Sequence, residues 1–209
     1  MLTATFETLY MTIVSLGLSY LIGLPLGILA NETRKNGLFP CLVIHGLFEF
    51  IIGFGRAIPF TILMVLVLPL TRLLVGTGVG TTATIVPLTI AAIPFVARLV
   101  SISMNQVDKE IIEASKIDGA SKLKIIFRIC LGSRLYDLLE GMGTSSVAII
   151  SYTAISGTLG GGGLGNYAIT KGYYQYDWLA VLYATLIIVG IVCLFQWVFR
   201  FLSKLFDWR

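Results

Sequence analysis

Charge is scarce in this chain. Asp, Glu, Lys and Arg make up 12% of its 209 residues, about half of the roughly 25% typical of a soluble domain. Apolar residues reach 56% and the mean hydropathy is +0.90, so much of the surface is expected to face lipid. Metal ligands are also few. His45 is the single histidine, and Cys41, Cys130 and Cys193 lie far apart with no CxxC pair, so the usual ligand spacing of a metal site is missing. Cys193, inside an apolar run, is expected to act as a small hydrophobe. No Gly-Lys dipeptide occurs, which excludes a Walker A loop. The Gly160–Gly165 run formally fits GxGxxG. It follows an apolar segment rather than a strand, so it reads as a flexible or tightly turned external loop and not a dinucleotide site. The net charge of +4 does not point to nucleic acid. The basic residues sit in short segments beside apolar runs, as the positive-inside rule expects.

What is present is a series of long apolar runs. Thr8 to Ala30 is free of charge for 23 residues and holds eleven Leu, Ile and Val residues. At roughly 0.3–0.6 kcal/mol each, these favour insertion by about 3–7 kcal/mol before the polar residues are subtracted. Glu7 precedes the run and no Lys or Arg does, so it reads as a span rather than a signal peptide. Pro25 between Gly23 and Gly27 predicts a kink and close helix packing. The polar loop Asn31–Gly37 follows. Leu38–Gly55, interrupted by His45 and Glu49, is either part of the second span or an interfacial helix leading into it. Further spans are expected at about 58–74, 82–104, 143–159 and 178–199, with the first at about 8–30. Arg98 near the end of the third is expected to snorkel or to line a protein interior. His45 and Glu49, one helical turn apart, are expected to pair. Tyr173, Tyr174, Tyr176 and Trp178 at one end, with Trp197 and Trp208 at the other, fit aromatic belts.

Charge then orients the chain. Five spans with the N-terminus outside put Arg34–Lys35, the 105–137 passage and the C-terminus (Arg200, Lys204, Arg209) on the cytoplasmic side. Counting Arg56 and Arg98 with them gathers 13 of the 15 Lys and Arg residues there and leaves Arg72 and Lys171 outside. A sixth span over 38–55 would split the basic regions and erase this bias.

The 105–137 passage reads as two helices. Asp108 is placed to cap the first, with Glu110 in its first turn. Gly119 is placed to end it in a left-handed conformation, and Ser121 to cap the second. Leu123, Ile126, Phe127, Cys130 and Leu131 fall at i, i+3, i+4, i+7 and i+8, one apolar face. By physics alone the passage either lies on the membrane surface or offers a helix to a partner's groove.

Its spacing is more specific. Glu113-Ala114-Ser115, three residues, Gly119, nine residues, Ile129, one residue, Leu131 resembles the EAA loop of ABC importer permeases. Ser115 stands where that pattern has a second Ala, and Gly132 where it has Pro. The resemblance implies an all-α membrane protein of the type I ABC importer permease fold, with a cytoplasmic coupling helix that docks into a separate ATPase subunit. Glu113, Ala114, Ser115, Gly119, Ile129 and Leu131 would carry that coupling. The stretches 55–60, 85–89, 94–98 and 162–165 are similar to the methionine-importer branch of the family. That likeness implies a homodimeric pore in a bacterial inner membrane, two ATPase subunits that bind the ATP and Mg, and an external lipoprotein delivering L-methionine and often D-methionine. By the same likeness, the Ser151-Tyr152-Thr153-Ala154-Ile155 segment would line the translocation path, with Ile155 near its narrowest gate. The chain itself would hold no cofactor and no catalytic residue.

Two rival classes fit less well. An ion-driven secondary transporter needs an inverted repeat and a buried titratable relay, and only Arg98 and Glu49 are at hand. A membrane enzyme needs a cluster of His, Asp or Glu near a span end, and none is evident.

Overall fold

The computed structural model describes residues 1–206. Trp208 and Arg209, assigned above to the last aromatic belt and the basic C-terminus, lie outside the described residues. The elements are α1 (Leu2–Glu32), α2 (Leu42–Ala57), α3 (Phe60–Leu66), α4 (Leu68–Val75), α5 (Thr81–Asn105), α6 (Lys109–Ile117), α7 (Lys122–Lys124), α8 (Leu131–Ser133), α9 (Leu135–Ser156), α10 (Gly163–Tyr167) and α11 (Trp178–Leu205). A π-helical stretch, Ile125–Cys130, joins α7 to α8, and another, Ala168–Tyr173, continues α10. No strand occurs among the described residues.

α1 and α5 form the centre, and their packing is written in α1. Thr8, Thr12, Ser15, Ser19, Gly23 and Gly27 are all buried, and their spacing of three or four puts them on one stripe. Small side chains allow two membrane helices to approach closely. At Gly27 the approach is closest: a Cβ there would lie 2.5 Å from the Ala97 carbonyl oxygen of α5. Three of the four hydroxyls are satisfied inside the helix, Thr8 donating to the Ala4 carbonyl at 3.0 Å, Thr12 to that of Thr8 at 2.8 Å and Ser19 to that of Leu16 at 2.9 Å, while the buried Ser15 hydroxyl has no partner among the described residues. Pro25 is accommodated within one continuous helix. α9 packs on both α1 and α5, and α11 lies outside α9. Half of the most apolar part of α5 is buried, against 17% for α11, so α11 lies at the periphery of the chain.

Three helices, α1, α5 and α11, are each long and apolar enough to cross a membrane, and two bent pairs bring the number up to five. α2 and α3 meet at 104°, and the α9 segment meets the α10 segment at 42°. Residues 58–74 do not form one helix. The helix is interrupted for one residue at Val67, where Pro69, at the start of α4, has no N–H for a continuing ladder. The 38–55 stretch becomes α2, which packs along α5. Its Ile52 closes a small core with Ala30 and Ala97.

The glycine run is not a loose loop. Gly163 and Leu164 donate their N–H groups to the Glu7 carboxylate (2.7 Å) and the Thr8 hydroxyl (2.9 Å) of α1. Thr84 of α5 donates to the Gly161 carbonyl at 3.3 Å. The orphan donors at the start of α10 thus find acceptors in the first helix.

Candidate functional site

The charged passage divides into a presented part and an anchored part. α6 has no buried residue. Glu113 and Ala114 are exposed and Ser115 is half-buried, its hydroxyl donating to the Ile111 carbonyl at 2.6 Å. Ile117 is 86% exposed, a large apolar side chain left for something else to cover. Gly119 adopts φ +75°. The Ala120 N–H reaches back to the Ser115 carbonyl at 3.0 Å, so the helix closes as the left-handed glycine predicts. Asp108 holds the N-cap position but its carboxylate makes no capping bond. The expected cap is therefore backbone geometry alone. Ser121 does cap α7, accepting from the Lys124 N–H at 3.4 Å.

Beyond Ser121 the chain is clamped. Ile125, Ile126 and Cys130 are buried in a cluster with Ile28, Leu38, Met104 and Val107, and Ile129 and Leu131 pack against it. The expected apolar face is corrected here. Leu123 and Phe127 are each 62% exposed. The face was counted at 3.6 residues per turn, but Ile125–Cys130 is π-helical, and the wider turn moves Ile125 inward and Phe127 outward. Cys130 is 1% exposed. Burial first, and the Glu32 carboxylate second, push its thiol up to about 11. Gly132, at the motif's Pro position, stays helical within α8, and the break falls at Arg134. The Arg134 guanidinium donates to the Gln106 carbonyl and pairs with Asp137 at 3.4 Å. Between α6 and the loop after α1 lies an open groove of about 340 Å³, lined by Arg34, Asn36, Lys109, Ile112, Glu113 and Lys116. Of the six coupling candidates, Glu113, Ala114, Ser115 and Gly119 thus lie on the presented part. Ile129 and Leu131 belong to the clamp.

The path candidates on α9 do not share one face. Ser151 and Ile155 are exposed, Ile155 at 39%. Tyr152 turns to α3 and stacks on Phe60, with centroids 4.7 Å apart and planes at 12°. Ala154 faces α10, whose Gly165 sits directly against its backbone. Tyr152 and Phe60 border a cavity of about 250 Å³ that also touches Arg56, Phe95 and Ala91.

His45 and Glu49 do not pair. The His45 Nδ1 lies 2.9 Å from the Ala30 carbonyl, while Glu49 accepts from Arg98 at 3.0 and 3.2 Å. Packing of α2 on α5 brings the guanidinium within reach, and both oxygens of the Glu49 carboxylate accept charge-assisted bonds from it. Of the two expectations for Arg98, snorkelling or lining an interior, neither is met outright: its side chain is 40% exposed and paired with Glu49. The contacts that sequence reasoning missed, Glu7 and Thr8 on α10 and Glu49 on Arg98, join residues far apart in the chain. Their only signal was a carboxylate beside or within an apolar run.

Residues 23–208 match the family model described as "Binding-protein-dependent transport system inner membrane component". The probable D-methionine transport system permease protein MetI of Vibrio cholerae is 40% identical, over 94% of this chain and 87% of that protein. The methionine import system permease protein MetP of Bacillus subtilis is 38% identical, over 99% and 93%. A structure of the MetNI methionine ABC transporter in an inward-facing conformation aligns with a TM-score of 0.96 at 32% identity, covering 99% of this chain and 95% of that one. An amino acid ABC transporter solved with histidines aligns with a TM-score of 0.72 at 18% identity, over 99% and 92%, a likeness of fold alone. The helices are those of a type I ABC importer permease. With its presented α6, its clamped π-helix and this match along almost its whole length, the chain belongs to the binding-protein-dependent transport system inner membrane component family.

Proposed function

We propose that this chain is the permease subunit of an ATP-driven importer for L-methionine and, by the name of its Vibrio relative, D-methionine. It would act as a homodimer in a bacterial inner membrane, with two ATPase subunits on the cytoplasmic side and a substrate-binding lipoprotein outside. The observation that carries the reading is the division of the charged passage. A docking helix that transmits motion must be free on its outer face and rigidly joined behind. α6 is unburied, while Ile125, Ile126 and Cys130 are locked into the core. The lack of a Gly-Lys dipeptide supports a reading in which ATP and Mg are bound by the partner subunit.

In this mechanism α6 sits in a cleft of the ATPase. Glu113 offers a carboxylate to a basic partner residue, and Ala114 and Ser115 allow close approach. When the ATPases close, α6 follows. The clamp passes the movement to α5 and α9, and the path beside the exposed Ser151 and Ile155 and the cavity at Tyr152 turns outward to receive substrate. Reopening of the ATPases returns it inward. No residue of this chain does bond chemistry. The rival reading, a secondary transporter, would need a titratable relay. The Glu49–Arg98 pair supplies only one ion pair.

The test is uptake by the complete transporter. Glu113→Lys reverses the charge offered to the partner. Gly119→Trp forces a bulky residue into φ +75°, which L side chains rarely adopt. Both variants should insert and yet lose at least tenfold in ATP-driven methionine uptake. Unimpaired uptake in both would remove the coupling role from α6.

A further inference from the structure

Arg56, counted above with the cytoplasmic charges, lies deeper in the fold than that count assumes, and no carboxylate among the described residues neutralises it there. Gly55 at the end of α2 touches α5 at Pro94, where a Cβ would lie 2.8 Å from Pro94 Cγ. Pro94 lies eleven residues before the end of α5 at Asn105 and thirteen after its start at Thr81. At about 1.5 Å per residue, these are depths of about 16 and 20 Å. Arg56 is therefore close to the midplane of a core about 30 Å thick. Arg98, one turn along α5 from Pro94, is paired with Glu49 at 3.0 Å. Among the described residues no carboxylate lies within ion-pair distance of Arg56. An intramembrane cation without a counter-charge is costly and marks a substrate path.

Its surroundings define what would neutralise it. Arg56 borders the cavity of about 250 Å³ with Ile58, Phe60, Ala91, Phe95 and Tyr152. That volume is just below the roughly 300–1,000 Å³ of pockets for drug-sized ligands, a fit for a free amino acid. The walls are apolar and aromatic, with the Phe60–Tyr152 stack on one side. A guanidinium binds carboxylate in a planar fork, and an ammonium is attracted to aromatic faces. We propose that Arg56 is the carboxylate-binding residue of an intramembrane site for an α-amino acid with an apolar side chain. The amino group would rest over the Phe60 and Tyr152 rings and the side chain against Ile58, Ala91 and Phe95. This rests on the permease reading above and deepens it by locating the substrate midway along the path.

The experiment compares wild type, Arg56→Gln, Arg56→Lys and Lys171→Gln in liposomes carrying the whole transporter with its ATPase and binding protein. Radiolabelled L-methionine is the probe, and co-purification with the ATPase is the folding control. Arg56→Gln should assemble and lose at least tenfold in initial uptake. Arg56→Lys, which keeps the charge but not the fork, should retain several times more than Arg56→Gln. Lys171→Gln, the loss of an exposed cation far from the cavity, should change uptake less than twofold. Uptake by Arg56→Gln within twofold of wild type overturns the proposal. Equal loss in the Gln and Lys variants also overturns it, since packing and not charge would then be at stake, as does a failure of both to assemble. Absence of ATP-driven uptake by wild type would instead bring down the functional reading itself, and this site with it.

Discussion

One backbone carbonyl sets how close α1 can come to α5. Ala97 O would lie 2.5 Å from a Cβ at Gly27, so any side chain there must push the helices apart. Gly27→Val should lower the stability of the purified protein by about 1–3 kcal/mol, the usual cost of overpacking, read as a fall in thermal midpoint. Gly17, on the same helix, has nothing within 4 Å of its missing Cβ, and Gly17→Ala should leave the midpoint unchanged or slightly raised. Cys130 gives a second residue-scale test. Burial first and the Glu32 charge second raise its thiol to about 11 from an ordinary 9.0. Raised above its unfolded value, this acid keeps its proton longer in the folded state. Its contribution to stability is whole below pH 9 and falls as pH rises from 9 to 11. Between those pH values Cys130 should remain unlabelled by a charged maleimide in native protein and label fully in denaturant. Comparable native labelling of Cys41 and Cys130 would contradict the burial.

At the scale of elements, long uninterrupted runs were legible and interruptions were not. α1, α5 and α11 follow from apolar stretches that need no partner to be recognised. Gly119 and Ser121 were legible because a left-handed turn and a cap are local chemistry. The 104° corner between α2 and α3 was not, because α2 is held by groups on another helix. Ile52 meets Ala97, and Glu49 meets Arg98. For the same reason the choice between a flexible and a tightly turned glycine run was open in sequence, since the acceptors that fix the tight turn lie on α1. The π-helix escaped because a face counted at 3.6 residues cannot reveal a wider turn, although its buried residues were apolar in sequence. The α2 anchor yields a measurable coupling. Glu49 and Arg98 are about 40% exposed, so a double-mutant cycle with Glu49→Gln and Arg98→Gln should return roughly 0.5–1 kcal/mol. Additive effects would show that α2 is placed by Ile52 and Gly55 alone.

At the scale of the molecule, basic residues and helix parity make one prediction about sidedness. A reporter fused after Lys171 should read as external and one fused after Asn36 as cytoplasmic. A cytoplasmic signal after Lys171 would overturn the proposed orientation. The Gly163–Glu7 bond carries a consequence in time. It joins positions 156 apart in the chain. At about 5–20 residues per second of synthesis, roughly 8–30 s separate the appearance of the acceptor from that of its donor. Throughout that interval the first helix waits in the bilayer with its carboxylate unmatched. A nascent chain stalled before residue 163 should therefore leave Glu7 open to carboxyl-modifying reagents that the finished subunit resists.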